Sequence, residues 1–281
     1  IYLASKLNPH LAPPTSPLYL LKSLRAHWSL IFNLIKREVI GRYRGSTMGI
    51  LWSFFNPVLM LIVYTFVFSI VFKARWIGGT DSKAEFALVL FAGLMMYNLF
   101  AECINRAPGL VLSNVNYVKK VVFPLEILPI VAIGSATFHL IISLFVWLCF
   151  YLIFIGIPPS TIGLLPVLLF PFFLMILGLT WLLASLGVYL RDVTQIIGIL
   201  TTALLFLSPI FYPISALPEE YHYLIQASPL TFIVEQAREI MIWGKGLNWS
   251  AWIVYSLCSL FTAWLGFAWF QKTRKGFADV L

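Results

Sequence analysis

The residues with the most chemical capacity stand just before the first long apolar run. The stretch Lys36-Arg37-Glu38-Val39-Ile40-Gly41-Arg42-Tyr43-Arg44-Gly45-Ser46-Thr47-Met48-Gly49 carries four cations within a few positions. A guanidinium is a planar fork that pairs with phosphate through parallel N–H bonds. Arg42 and Arg44, at the water boundary of a membrane span, therefore suit an anionic headgroup, and Arg25, Lys36 and Arg37 are placed to assist. An equally good reading makes the arginines snorkelling anchors. It makes Gly41, Gly45 and Gly49, each four residues apart, a smooth strip for ordinary helix packing.

Other charged residues are few. Glu102 and Arg106 lie four apart near the inner end of the second apolar run, where such a pair can neutralise itself. They read as a structural or gate pair ahead of a proton relay. His139 is the only His, Lys, Arg, Asp or Glu between Ile127 and Leu190 and reads as a hydrogen-bonded packing residue. Ser113, Asn114 and Asn116 are turn formers followed by Tyr117, Lys119 and Lys120. That pattern predicts a short cytoplasmic helix for docking on a partner, with Arg191-Asp192 on the same side.

Several chemistries are missing. No G-x-x-x-x-G-K-[ST] occurs; Gly244-Lys245-Gly246 is a fragment that fails every other position. No G-x-S-x-G or H-E-x-x-H occurs either. Cys103, Cys149 and Cys258 are far apart and show no metal spacing. A self-powered pump and a proton-coupled carrier are disfavoured, so energy is expected from another subunit.

The elements that must position these residues follow from composition. Of 281 residues, 60% are hydrophobic and only 11% charged, against about 25% charged in soluble domains. This is an all-α integral membrane protein, since the uncharged runs are too long and continuous for a barrel. The net charge of +8 reflects topology rather than nucleic-acid binding, because the basic residues cluster between apolar runs. Spans need about 20 apolar residues, and six are predicted, at 49–72, 86–110, 128–155, 163–189, 194–212 and 249–270. With both termini in the cytoplasm, fourteen of the nineteen basic residues lie inside and five outside, which decides the orientation. Ile1 to Pro17 has three prolines after position 10 and no cleavage pattern, so it does not read as a signal peptide.

Two further segments are expected. Residues 17–40 predict one amphipathic helix on the membrane surface. Lys22, Arg25, Ser29, Asn33, Lys36 and Arg37 fall on one side, and Leu18, Leu21, Leu24, Trp28, Ile31, Phe32 and Ile35 on the other. Residues 213–248, outside, are too apolar for a free loop. A helix over Leu230–Trp243 could re-enter the bilayer if buried in protein, or lie on the outer surface.

The chain resembles the permease subunits of type-2 ABC exporters, in the bacterial polysaccharide-export branch, from about Leu18 to Leu281. The resemblance is carried by Arg42-Tyr43-Arg44-Gly45-Ser46 running through Gly49 to Trp52-Ser53-Phe54-Phe55-Asn56-Pro57. This is similar to the family's R-Y-x-x-S-x-L-G-x-x-W, with Met48 in place of Leu. Further matches are Asn116–Pro124, Arg191-Asp192-Val193, Ser208–Pro213 and Ser228-Pro229-Leu230. The tail from Lys272 to Val280 resembles O-antigen exporters more than capsule exporters.

The resemblance implies a six-helix inner-membrane permease that pairs with a second copy of itself. Two copies of a P-loop ATPase subunit would bind ATP and Mg, with no cofactor in this chain. It implies a glycan built on undecaprenyl diphosphate, and a path at the dimer interface lined by helices one, two and five. Tyr64, Phe68, Tyr97, Phe100, Phe206 and Phe211 are the lining candidates on those helices. It places the ATPase contact at 111–125, with Tyr117, Lys119, Lys120, Arg191 and Asp192. The alternatives are a same-fold permease for capsule, teichoic acid, lipid or drug, and a membrane enzyme acting on lipid-linked glycans. The enzyme would require a clustered acid/base pair within the membrane, and the sequence presents none.

Overall fold

The computed structural model describes residues 15–67, 83–119 and 123–281, and every regular element among them is helical. Helices α1 (Pro17–Ala26) and α2 (Trp28–Tyr43) precede α3 (Trp52–Tyr64) and α4 (Lys83–Arg106). The short α5 (Val115–Lys119) leads to α6 (Leu128–Phe154), α7 (Leu165–Tyr189) and α8 (Val193–Leu207). Then come α9 (Glu219–Gln226), α10 (Pro229–Met241), α11 (Trp249–Thr273) and the terminal turn α12 (Phe277–Val280).

Five stretches are long and apolar enough to cross a membrane: Gly49–Val67, Lys83–Gly109, Leu125–Phe154, Ser160–Tyr189 and Trp249–Val280. The expected first span, 49–72, extends past the described residues at Val67. The expected span 194–212 is helical only as far as Leu207. Helix α8 has only 15 residues, about 22 Å at 1.5 Å per residue against a hydrocarbon core of about 30 Å. It stops because Pro209 forces Ser208 into extended geometry (φ −92°, ψ 151°).

Helix α4 is the centre of the bundle. From Phe86 to Ile104 every side chain is buried except Asn98 and Glu102. Helices α6, α7 and α10 pack around it. The closest pairing is α7 with α11, where a Cβ on Gly178 would collide with the Thr262 carbonyl and one on Gly266 with Gly178 itself. Without a hydrophobic drive between helices in lipid, such backbone approach is how spans gain contact.

One end of the bundle collects both ends of the described chain. Ser23 of α1 and Arg274 beyond α11 both bond Glu126. Gly187 of α7 abuts the backbone of Pro108, and the Tyr189 hydroxyl donates to the Thr273 carbonyl at 2.8 Å. The opposite end holds the turn before α7 and the segment 208–248, joined by Thr161 donating to the Ile240 carbonyl at 2.7 Å.

The surface segment is two helices rather than the single helix expected over 17–40. His27 leaves helical geometry (φ −109°, ψ 17°), and its Nδ1 lies 2.8 Å from the Ser23 carbonyl. The apolar side is also divided. Ile31 and Leu34 seat on Ile127 and Val131, while Leu18, Leu21, Trp28 and Phe32 stay exposed, as an interfacial helix dipping into acyl chains requires. The glycine strip is likewise corrected. Helix α2 ends at Tyr43, and Gly45 (φ 87°) and Gly49 (φ 53°) have nothing close to them. They turn the chain from the surface into α3, in conformations that a side chain would strain.

The outer segment splits in the same way. Helix α10 buries Leu230, Ile233, Val234, Ala237, Ile240 and Met241 completely, whereas α9 leaves Tyr221, Tyr223 and Leu224 exposed. Thirteen residues are too few to cross, and the burial of α10 in protein is the condition for a non-spanning helix at membrane depth.

Candidate functional site

The cations singled out at the entrance are not alone. Arg42, at the end of α2, donates through Nη2 to Glu102 Oε1 at 2.6 Å. Its Nη1 lies 3.1 Å from His139 Nδ1, and that Nδ1 lies 3.0 Å from Glu102 Oε2. The Tyr43 hydroxyl reaches His139 Nε2 at 3.1 Å. Arg106 pairs with Glu38 of α2 and lies 3.8 Å from Glu102. Helices α2, α4 and α6 thus meet in one cluster of two arginines, two glutamates, a histidine and a tyrosine. The Glu102–Arg106 pair is part of this larger cluster rather than self-contained. His139 gains the partners that its surroundings in sequence lack, because α2 folds back over α6.

The other predicted cations are distributed differently. Arg44 is exposed and makes no ion pair among the described residues. Arg25 and Lys36 are exposed on α1 and α2. Arg37 is committed, since its Nη2 donates to the Tyr117 hydroxyl at 2.8 Å.

Tyr117 belongs to the predicted coupling segment, where α5 forms between Val115 and Lys119. Its ring stacks on Phe123 at 4.3 Å. Lys119 is exposed, and Lys120 lies outside the described residues. Arg191 and Asp192 are exposed at the start of α8, at the same end of the bundle, because Gly187 packs on Pro108.

The aromatic lining candidates separate into two groups. Tyr97 and Phe100 are 8% and 4% exposed and belong to the core; as lining residues they are corrected. The Tyr97 hydroxyl is spent on the Thr201 carbonyl at 2.9 Å. Tyr64, Phe211 and Phe206 touch in series, with ring centres 6.1 and 5.8 Å apart, and Phe206 is 60% exposed. Phe68 lies outside the described residues.

The open edge of α4 is polar instead. Helix α4 presents Asn98, Glu102, Asn105 and Arg106, spaced to share one edge of an otherwise buried helix. Helix α8 beside it carries a shallow groove of mixed character, lined by Thr194, Gln195, Gly198, Ile199, Thr202, Ala203 and Phe206. Thr201 donates to Asn105 Oδ1 at 2.8 Å and ties the two helices together. Amide and hydroxyl groups facing hydrocarbon are costly, so this face suits a wet path or a polar partner.

Two residues with central roles escape a sequence reading. Arg238 is fully buried in α10, donating to the carbonyls of Val89 (3.0 Å), Pro209 (2.5 Å) and Ile210 (2.6 Å). It binds α10 to α4 and to the break after α8, and a Cβ on Gly93 would stand 2.7 Å from its Nη2. Glu126 is 1% exposed and accepts from Ser23 (2.9 Å) and Arg274 (2.8 Å). It joins the surface helix, the end of the segment 111–125 and the tail. The one available signal was a charge at the edge of a long apolar run.

Comparison with known proteins adds a family context to this geometry. The ABC-2 type transporter family matches residues 29–242. The O-antigen export system permease protein RfbA of Myxococcus xanthus is 25% identical over 262 residues, covering 92% of this chain and 98% of the relative. A protein of the same description from Klebsiella pneumoniae is 23% identical, covering 90% and 95%. The polysialic acid transport protein KpsM of Escherichia coli is 24% identical, covering 81% and 88%.

Proposed function

The chain belongs to the ABC-2 type transporter family, and from that premise we propose that it is the membrane-spanning subunit of an ATP-driven polysaccharide exporter. The substrate is most closely an O-antigen, the polymer named in the export systems of the first relatives, and it travels on undecaprenyl diphosphate. The subunit sits in the bacterial inner membrane with both termini in the cytoplasm and crosses six times, α8 being the short crossing. Two copies enclose the path, and two copies of a separate P-loop ATPase, which bind ATP and Mg, dock on the segment 111–125. Capsular polysaccharide is the second reading, favoured by the similarity to the polysialic acid transport protein.

The observation that carries this reading is the polar edge of α4 beside a groove on α8 that mixes polar and apolar groups. Asn98, Asn105, Gln195 and Thr202 offer amide and hydroxyl groups to sugar hydroxyls at membrane depth. Phe206 offers an apolar face to sugar C–H groups. None of these contacts demands one particular sugar sequence, which suits a polymer that moves through. The cationic entrance at Arg42 and Arg44 receives the diphosphate while the lipid tail stays in the bilayer.

The test uses the permease–ATPase complex with Cys103, Cys149 and Cys258 replaced. Thr202→Cys should react with a membrane-impermeant maleimide, and a glycan stalled in transit should protect it. Reaction only with a lipid-soluble reagent, unaffected by glycan, would place Thr202 against lipid and overturn the reading.

A further inference from the structure

Arg42 is the entrance cation held tightest, and the way it is held is unusual. Its guanidinium is bound at 2.6 Å by Glu102, yet its side chain keeps 35% of its surface open to solvent. Glu102 is supplied in excess. Besides Arg42 it has His139 Nδ1 at 3.0 Å and Arg106 Nη1 at 3.8 Å. Glu38 in turn shares Arg106. Two arginines are matched by two glutamates, so the resting cluster offers little net charge to an arriving anion. A lone partly buried pair would strand a charge if opened. Here Glu102 can lose Arg42 and remain partnered.

We propose that Glu102 is an internal stand-in for the substrate's anion: it holds Arg42 while the entrance is empty and yields it to the diphosphate of the arriving lipid. The inference rests on the lipid-diphosphate reading above. A diphosphate joined to lipid and sugar carries two negative charges on adjacent groups. It therefore presents a fork-shaped acceptor at least as good as a carboxylate, with Arg44 beside it as a second donor. No bond is made or broken; the exchange swaps one anion for another on the same guanidinium, and Arg106 and His139 keep Glu102.

The exchange has a mechanical consequence. Arg42 fastens the end of α2 to α4. Five residues earlier, about 7.5 Å along the helix, Arg37 of α2 holds Tyr117 at 2.8 Å in the coupling segment. Releasing Arg42 from Glu102 loosens α2 at one point and is felt at the other. Glu102 is thus a positioning residue whose departure from Arg42 reports an occupied entrance to the ATPase side.

The experiment uses the permease with its ATPase in nanodiscs and measures binding of undecaprenyl diphosphate, with undecaprenol and inorganic pyrophosphate as separate probes. Glu102→Gln removes the competing charge and should tighten binding about tenfold. The gain should vanish in the Arg42→Ala/Glu102→Gln double variant. Equal or weaker binding by Glu102→Gln, or a gain that survives without Arg42, overturns the exchange. A gain seen with undecaprenol overturns it too, since no anion is then involved. The same gain with inorganic pyrophosphate supports it and assigns the recognition to the anion alone. Hydrogen exchange in the wild-type complex provides a readout that needs no variant. Amides of residues 36–44 should exchange faster when undecaprenyl diphosphate is added, and unchanged or slower exchange with lipid bound counts against the exchange. If the wild-type complex binds no undecaprenyl diphosphate at all, the lipid-diphosphate reading itself fails, and the exchange with it. Binding that is indifferent to Glu102 sinks the exchange alone.

Discussion

At the scale of single residues, the molecule uses arginine in three ways. Arg44 is exposed and uncommitted among the described residues, Arg42 is held by Glu102, and Arg238 is buried against backbone carbonyls. Each use makes a different prediction. A charge-assisted hydrogen bond is worth about 1.5–3 kcal/mol, so Arg44→Ala should lower glycan export about tenfold with assembly intact. Arg44→Lys should restore only part of it, because an ammonium lacks the fork. Wild-type export from Arg44→Ala would leave that residue as a topology anchor. Arg238→Leu should act on stability instead. It takes the donor from the buried Pro209 and Ile210 carbonyls, at about 1–3 kcal/mol each, and should lower the melting temperature in detergent sharply. Arg238→Lys should recover little, since one ammonium cannot reach both with the same geometry. Unchanged melting in Arg238→Leu would show that water or neighbouring groups replace the guanidinium.

At the scale of elements, two junctions decide whether motion at one place reaches another. The first is the crossing of α7 and α11, where Gly178 and Gly266 let backbones touch. A larger side chain there has no flexible neighbour to displace, so Gly266→Val should abolish folded protein in the membrane, measured as monodisperse material after solubilisation. Normal yield would mean that the helices can separate cheaply. The second junction is the segment 111–125, held from three sides. Arg37 reaches Tyr117, Glu126 joins Ser23 and Arg274, and Phe277 is buried against the end of α7. Its exposed edge carries Lys119. Reversing Lys119 and Lys120 to Glu together should uncouple ATP hydrolysis from export and leave the permease folded. Tight coupling in that variant would move the ATPase contact elsewhere.

At the scale of the whole molecule, the exposed surface divides by chemistry. Helix α11 shows Ile253, Val254, Leu257, Leu260, Phe261 and Trp264, an apolar face that lipid satisfies. The edge of α4 shows Asn98 and Asn105, and α8 sets Gln195 and Thr202 among exposed Ile196, Ile199 and Leu200; lipid does not satisfy the amides and hydroxyls. A subunit with one such face suits pairing with a second copy around a wet space. Both ends of the described chain lie at one end of the bundle, bound through Glu126. Alkaline phosphatase, active only outside the cytoplasm, should therefore be silent when fused after Leu281 and active when fused after Lys245. The reverse pattern would invert the protein and move Arg42 and Arg44 to the far side from the substrate's origin.

Composition and the lengths of uncharged runs were enough to read an all-α membrane protein, because hydrocarbon admits only segments that satisfy their own backbone over a fixed thickness. The arginine-rich stretch before the first span and the turn formers before Tyr117 were also legible, since local spacing carries their meaning. Partnership was not. Glu102 and Arg106 look self-sufficient at four residues apart, and His139 looks solitary, until α2 crosses over α4 and α6. Tyr97 and Phe100 have the composition of a sugar path, yet burial of α4 turns them inward and leaves Asn98 and Asn105 outside. Arg238 was readable only as a charge in the outer segment, and Pro209 fell inside the expected span 194–212. Which carbonyls that guanidinium holds depends on how α10 packs beside α4, a relation between residues more than a hundred positions apart. Periodicity along one chain records which side of a helix is apolar. The neighbour that side meets is a three-dimensional fact, and tertiary packing decided it.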